Sequence, residues 1–146
     1  MADMTLDDVV EKMRGIDFTT LFTKSESGAL AGRPMSNNGQ VEHDASSYFF
    51  ALDDSHAVHD IAREPTVGLS LQGSSGIVGQ RPFFVTVEGR AQLIRDKAAF
   101  EAHWVSDLER WFPEGVDTPG LVLIKVEAQR LHWWNGADEG ELSPLG

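Results

Sequence analysis

The chain contains no cysteine. Disulfides, thiolate metal sites and a cysteine nucleophile are therefore excluded, and the usage is that expected of a cytoplasmic protein. Apolar runs are short, and none approaches the roughly 20 residues that a membrane-spanning helix needs. The first residues, Met1-Ala2-Asp3-Met4-Thr5, have neither a basic start nor an apolar stretch, so no secretory signal is expected there. Basic residues are scarce: 12 against 23 acids, for a formal net charge of −11. Such a field repels phosphate backbones and anionic membranes, so neither nucleic acid nor a membrane surface is an expected partner. Several catalytic signatures are also missing. There is no His-Glu-x-x-His, no Gly-x-Ser-x-Gly elbow and no Gly-x-Gly-x-x-Gly fingerprint, and the glycine-rich stretch 73–79 lacks the Lys-Ser/Thr of a phosphate loop. His56 and His59 stand at i, i+3, but no carboxylate follows at metal-site spacing, so no protein-bound metal is expected.

What is present fits one domain. At 146 residues folding buries roughly 70% of the surface of the extended chain, enough for a core without staples. Residues 5–14 read as an amphipathic helix, with Leu6, Val9, Val10 and Met13 on one face, Thr5 as N-cap and Gly15 as its end. Strands are expected over 16–23, 29–36, 47–52, 66–71, 83–94 and 121–134. Pro34 lacks an N–H, so the second strand is expected to be a sheet edge or to be interrupted there. Gly89 marks a bulge or bend. A helix over 55–63, capped by Asp53 or Asp54, must stop before Pro65. A helical pair from Asp96 carries Phe100, Trp104, Leu108, Trp111 and Phe112. Links this short suit a six-stranded antiparallel barrel with few short helices, a mainly β (α+β) fold. The domain runs over 1–136, and the acidic tail 137–146 is expected to be flexible.

The residues that carry chemistry cluster early. Arg33 has a planar fork suited to phosphate, although a lone strand arginine is as often a solvated side chain or a surface ion pair. Ser55-His56 opens a helix, where first-turn N–H groups, a hydroxyl and an imidazole can converge on an anion. The plain alternative is a helix cap beside an exposed histidine. Tyr48-Phe49-Phe50-Ala51 puts backbone and rings nearby, so together these residues suit an anionic, flat, redox-active ligand. Trp133 and Trp134 alternate, so one must face outward, which implies a subunit contact or a stacked ligand.

Gly32-Arg33-Pro34-Met35, Tyr48-Phe49-Phe50 with Ser55-His56, Val87-Glu88-Gly89-Arg90-Ala91, Trp111-Phe112-Pro113-Glu114-Gly115 and Trp133-Trp134-Asn135-Gly136 resemble, in order and spacing, the general stress proteins of the pyridoxamine 5′-phosphate oxidase-like, FMN-binding split-barrel superfamily. The resemblance covers roughly 13–136. It implies a six-stranded split barrel, a homodimer, and FMN or FAD in grooves at the dimer interface. By matching position it sets Arg33, Pro34 and Met35 at the ribityl chain and ring. It also sets Phe50 and Ala51 as backbone contacts, Ser55, His56 and Ala57 at the phosphate, and Trp111 and Trp134 as ring neighbours. Ala57 stands where many relatives have lysine, which removes a cation from the phosphate. The acidic Ala137-Asp138-Glu139-Gly140-Glu141 replaces the Arg-Leu-His-Asp-Arg-type terminus of true oxidases, which argues against vitamin B6 oxidation. The expectation is a flavin-binding stress protein, as carrier, sensor or oxidoreductase. A flavin-free dimeric interaction module and a deazaflavin-dependent reductase on the same barrel are the alternatives.

Overall fold

The computed structural model describes residues 3–73 and 81–144. Except for Gly73, the glycine-rich connection 73–79 lies outside them. Helix α1 (Leu6–Arg14) starts at a capping box: Asp8 N–H donates to Thr5 Oγ1 and Thr5 N–H to the Asp8 carboxylate. That satisfies two of the donors a helix start leaves open. Val9, Val10 and Met13 are buried. Asn37, itself fully buried, donates from Nδ2 to the carbonyls of Met13 and Ile16 at 2.7 and 2.9 Å, which fixes the exit from α1.

The strands are β1 (Phe18–Lys24), β2 (Leu30–Ser36), β3 (Ser47–Leu52), β4 (Thr66–Gln72), β5 (Phe83–Ile94), β6 (Leu121–Asn135) and β7 (Asp138–Leu142). Helix α2 (His56–Arg63) follows β3, and α3 (Lys97–His103) follows β5. The sheet runs β2-β1-β4-β5-β6-β3, all antiparallel, with β7 also on β6. Strand β2 is at one end, where its proline needs no ladder partner. Strands β2 and β3 end the path without pairing to each other, so the curved sheet stays split between them.

Two corrections concern the ends of elements. The cap of α2 is Ser55, whose Oγ accepts from Val58 N–H, rather than Asp53 or Asp54. The Asp53 carboxylate is instead paired with Arg95 at 2.6 Å. Among the described residues the strands number seven rather than six, because the acidic segment folds back as β7. Gly136, at φ 65°, takes the first central position of a two-residue hairpin loop, where a positive φ is required. Gly140 then lies on the Trp133 indole, so close that a Cβ there would fall 2.7 Å from Cζ2. His132 Nε2 meets the Glu139 carboxylate at 2.6 Å across the same hairpin. Trp133 is thereby sealed into the core at 3% exposure.

Burial alternates along β5 without a break from Phe83 to Gln92, as a half-buried strand demands. Its register against β6 shifts between Glu88 and Gly89. There a Cβ on Gly89 would stand 2.8 Å from the Glu127 carbonyl and from Val126 Cγ1. Gly89→Ala is therefore expected to lower unfolding free energy by about 1–3 kcal/mol through overpacking. Urea denaturation checks this against Gly68→Ala, whose added carbon meets nothing closer than 3.6 Å.

Strand β3 separates two apolar clusters. Phe49 enters the main core among β1, β4, β5, β6 and the helices α1 and α2. Phe50 points the other way, into a smaller cluster with Phe100, Leu108, Leu121 and Leu123, flanked by Trp104 and Phe112.

Candidate functional site

The split between β2 and β3 holds a groove made of two adjoining cavities. The first, about 340 Å³, is lined by Arg33 and Met35 of β2, Phe50, Ala51 and Leu52 of β3, Asp54, the start of α2 (Ser55, His56, Ala57), and Phe112. The second, about 210 Å³, shares Met35, Phe50 and Phe112 and adds Phe18, Pro34, Ser36, Leu108 and Trp111. Volumes of this order are those of small-molecule sites. Both are walled mainly by apolar surface; Arg33, Asp54, Ser55 and His56 line the first, Phe18 and Trp111 the second, and Phe50 lies between them.

Arg33 is held rather than loose. Its Nη1 donates to Thr23 Oγ1 at 2.8 Å and to the Leu21 carbonyl at 3.3 Å, and its Nη2 lies 3.7 Å from Asp60 Oδ2. Thr23 in turn donates to Asp60 Oδ2 at 2.7 Å, and Arg63 pairs with Oδ1 at 3.2 Å. Burial by itself would raise the Asp60 pKa. The Thr23 hydroxyl and the Arg63 and Arg33 guanidinium groups outweigh it and hold the carboxyl below its ordinary value. Asp60 thus ties β1, β2 and α2 together, and composition gave no sign of it. It also shares the charge of Arg33. What remains available to a ligand is Nε and Nη2, which make no hydrogen bond among the described residues.

At the start of α2 the Ser55 oxygen already accepts from Val58 N–H at 3.3 Å, while its own O–H proton has no acceptor among the described residues. Helix geometry leaves the N–H groups of His56 and Ala57 without intrahelical acceptors. These donors and Arg33 share the first cavity, and together they can hold a terminal anionic group. Asp54 is the one carboxylate among that cavity's lining residues.

Phe50 is gripped edge-on by Phe100 and Trp104, with ring centroids 5.9 and 5.0 Å away. Behind it the Tyr48 ring stacks on His103 at 3.7 Å, and His103 Nδ1 lies 2.9 Å from Gln40 Oε1. Burial, reinforced by Glu42, raises the Tyr48 hydroxyl pKa, and burial lowers that of His103. Both rings are neutral at pH 7, and the charges nearby include Glu42 and Lys125, whose Nζ lies 5.9 Å from the Tyr48 ring centroid.

Of the residues expected from the sequence, the two cavities bring together Arg33, Pro34, Met35, Phe50, Ala51, Ser55, His56, Ala57 and Trp111. Trp134 is not among them. It sits on the outer face of β6, stacked on His132 at 4.0 Å and 6°. A single chain does not carry it to the groove. Among the described residues no cluster of three or more His, Asp or Glu side chains is placed to hold a metal. No helix there is long and apolar enough to cross a membrane.

An antiparallel sheet split between its terminal strands, with a groove in the split, defines the split-barrel class. The chain matches the family described as "Pyridoxamine 5′-phosphate oxidase like" over residues 4–144, and it belongs to that family. It is 28% identical over 123 residues to General stress protein 26 of Bacillus subtilis, covering 81% of this chain and 84% of that one. Its fold is similar to a Clostridium acetobutylicum protein related to general stress protein 26. That match has TM-score 0.75 and 15% identity, and covers 94% and 93% of the two chains. General Stress Protein 26 of Bacillus anthracis is similar at TM-score 0.71 and 22% identity, covering 92% and 98%. A heme binding protein of Mycobacterium smegmatis is similar at TM-score 0.78 and 14% identity. It covers 99% of this chain, which spans 60% of that larger one.

Proposed function

We propose that this protein binds FMN in the groove between β2 and β3, as a homodimer, and serves as a flavin-binding stress protein. One observation carries the reading. The unpaired edges of β2 and β3 hold anion donors at one end of a continuous groove and aromatic and thioether side chains at the other, the two halves of a phosphorylated flat ligand. In this reading the first-turn N–H groups of α2, Ser55 and Arg33 hold the phosphate. Met35 and Phe50 flank the ring, and Trp111 closes over it. FMN is favoured over FAD because the donors gather at a single end, suited to one terminal phosphate. Bound flavin would supply electron or hydride transfer, and the chain would supply orientation and the exclusion of water.

The exposed apolar groups support the dimer. Trp111 and Phe18 are 57% and 55% exposed beside the groove, and Phe22 and Leu30 are exposed on the outer sheet face. A second copy would cover them and bring its own Trp134 toward the ring. The same contact would exclude water from the apolar end, where stacking is most favourable.

The experiment is titration of the purified protein with FMN, FAD, a deazaflavin and hemin in parallel, read by tryptophan emission and visible absorption, with mass measured by light scattering. Saturable FMN binding by a dimer is expected. A dimer that binds none of the four is the flavin-free module, and preference for deazaflavin or hemin reassigns the groove. Ala57 borders the first cavity at the edge of the main core, so an Ala57→Lys side chain that reaches the cavity is expected to tighten FMN about tenfold, by one charge-assisted contact. The same titration on the variant checks it, and unchanged affinity would remove Ala57 from the phosphate end.

A further inference from the structure

The groove does not end at Trp111. A third cavity of about 430 Å³ shares Phe18 and Ser36 with the aromatic compartment and continues between α1 and the 3-10 turn Ser106–Arg110. Its walls carry Arg14 and Asp17 on one side and Asp107 and Arg110 on the other. In a chain of net charge −11, two arginines in one cavity are a local exception. No ion pair within 4.0 Å involves any of these four side chains among the described residues, although both signs line the same space. Arg14 is oriented by its Nε, which donates to the Val41 carbonyl at 2.7 Å. Its guanidinium is therefore anchored on one edge, with the Nη pair left to act.

We infer that this third cavity is a binding site for a small zwitterion, an α-amino acid with an apolar side chain. The carboxylate lies between Arg14 and Arg110, the ammonium group meets Asp17 and Asp107, and the side chain lies along Ile16 and Val105. A simple anion is the poorer ligand, because two aspartates line the same cavity as the two arginines and repel it. A simple cation meets the converse problem. Only a ligand carrying both charges satisfies all four groups at once, and a planar carboxylate matches the guanidinium fork bidentately. The site would set what approaches the open end of the groove.

The test uses the full-length protein at low ionic strength, with calorimetric titration of three probes: L-phenylalanine, 3-phenylpropionate and phenethylamine. Phenylalanine is expected to saturate, and the two singly charged probes to bind at least about tenfold more weakly, since each lacks one charge-assisted contact. Arg110→Gln and Asp107→Asn are each expected to weaken phenylalanine by a similar factor. Circular dichroism confirms that both variants fold. Absence of saturable heat with phenylalanine, equal binding of the three probes, or unchanged binding in both variants overturns the assignment. FMN titration of Asp107→Asn keeps the two readings apart. Loss of phenylalanine with FMN affinity retained supports this site, whereas a protein that never bound FMN fails the flavin reading and leaves this one standing.

Discussion

Arg33→Ala is expected to weaken FMN by about ten- to a hundredfold while changing riboflavin less than about twofold. Riboflavin has the same ring and ribityl chain and no phosphate, so the pair separates phosphate contact from every other effect. Hydrogen bonds to charged groups are worth about 1.5–3 kcal/mol, which is that range of affinity. The expected value lies inside the range, not above it, because Asp60 already draws on the charge of Arg33 and Asp54 lines the same cavity. Parallel fluorescence titrations measure it. Equal weakening of both ligands would mean that Arg33 shapes the ring compartment through β2 and has no part at the phosphate.

Asp60→Ala is expected to be the most destabilising substitution at the site, lowering unfolding free energy by about 3 kcal/mol in urea at pH 7. The carboxylate is 6% exposed and receives Thr23, Arg33 and Arg63. Its removal leaves a guanidinium and a hydroxyl facing a void. Arg63 is partly exposed and recovers water, which keeps the effect below that of a fully buried triad. The pH dependence has a definite sign. A carboxyl whose folded pKa lies below its unfolded one gives stability that is complete above about pH 5, and loses it as pH falls through the lowered value. Stability should therefore decline on acidification in the wild type, and Asp60→Asn should show a shallower decline between pH 5 and 3. An identical slope would place the acid sensitivity in other carboxylates.

Much of this fold is legible in the chain because period and punctuation agree. Strands β3 and β5 have the bounds that their β-branched and aromatic runs suggest, and Thr5, Gly15, Pro34 and Gly89 each act as their chemistry dictates. Strand β7 was not legible from its charge, since five residues rich in acid read as solvated tail. The signal was Gly136-Ala137, a loop with glycine at the first central position, and the cover that Gly140 gives Trp133 is a tertiary effect. Arg33 and Ser55-His56 line one cavity, as their spacing suggested, yet each also takes its plain structural use: Arg33 pairs with Asp60 and Ser55 caps α2. Asp60 was not legible, because an aspartate in a helix turns from surface to keystone only when two strands bring Arg33 and Thr23 to it. The third cavity escaped for a similar reason. Its arginines and aspartates are ninety residues apart in the chain, roughly, and each looks like ordinary surface.

Because Phe49 and Phe50 feed different clusters, the two sides of β3 need not melt together. The smaller cluster owns Leu108 and Phe112, which wall the groove, yet it holds few of the large buried side chains. Residues 97–117 are therefore expected to open more readily than β5 and β6, which would give the proposed flavin guest a way in without global unfolding. Amide exchange in that segment should be faster than in β5 and should slow when the guest is seated.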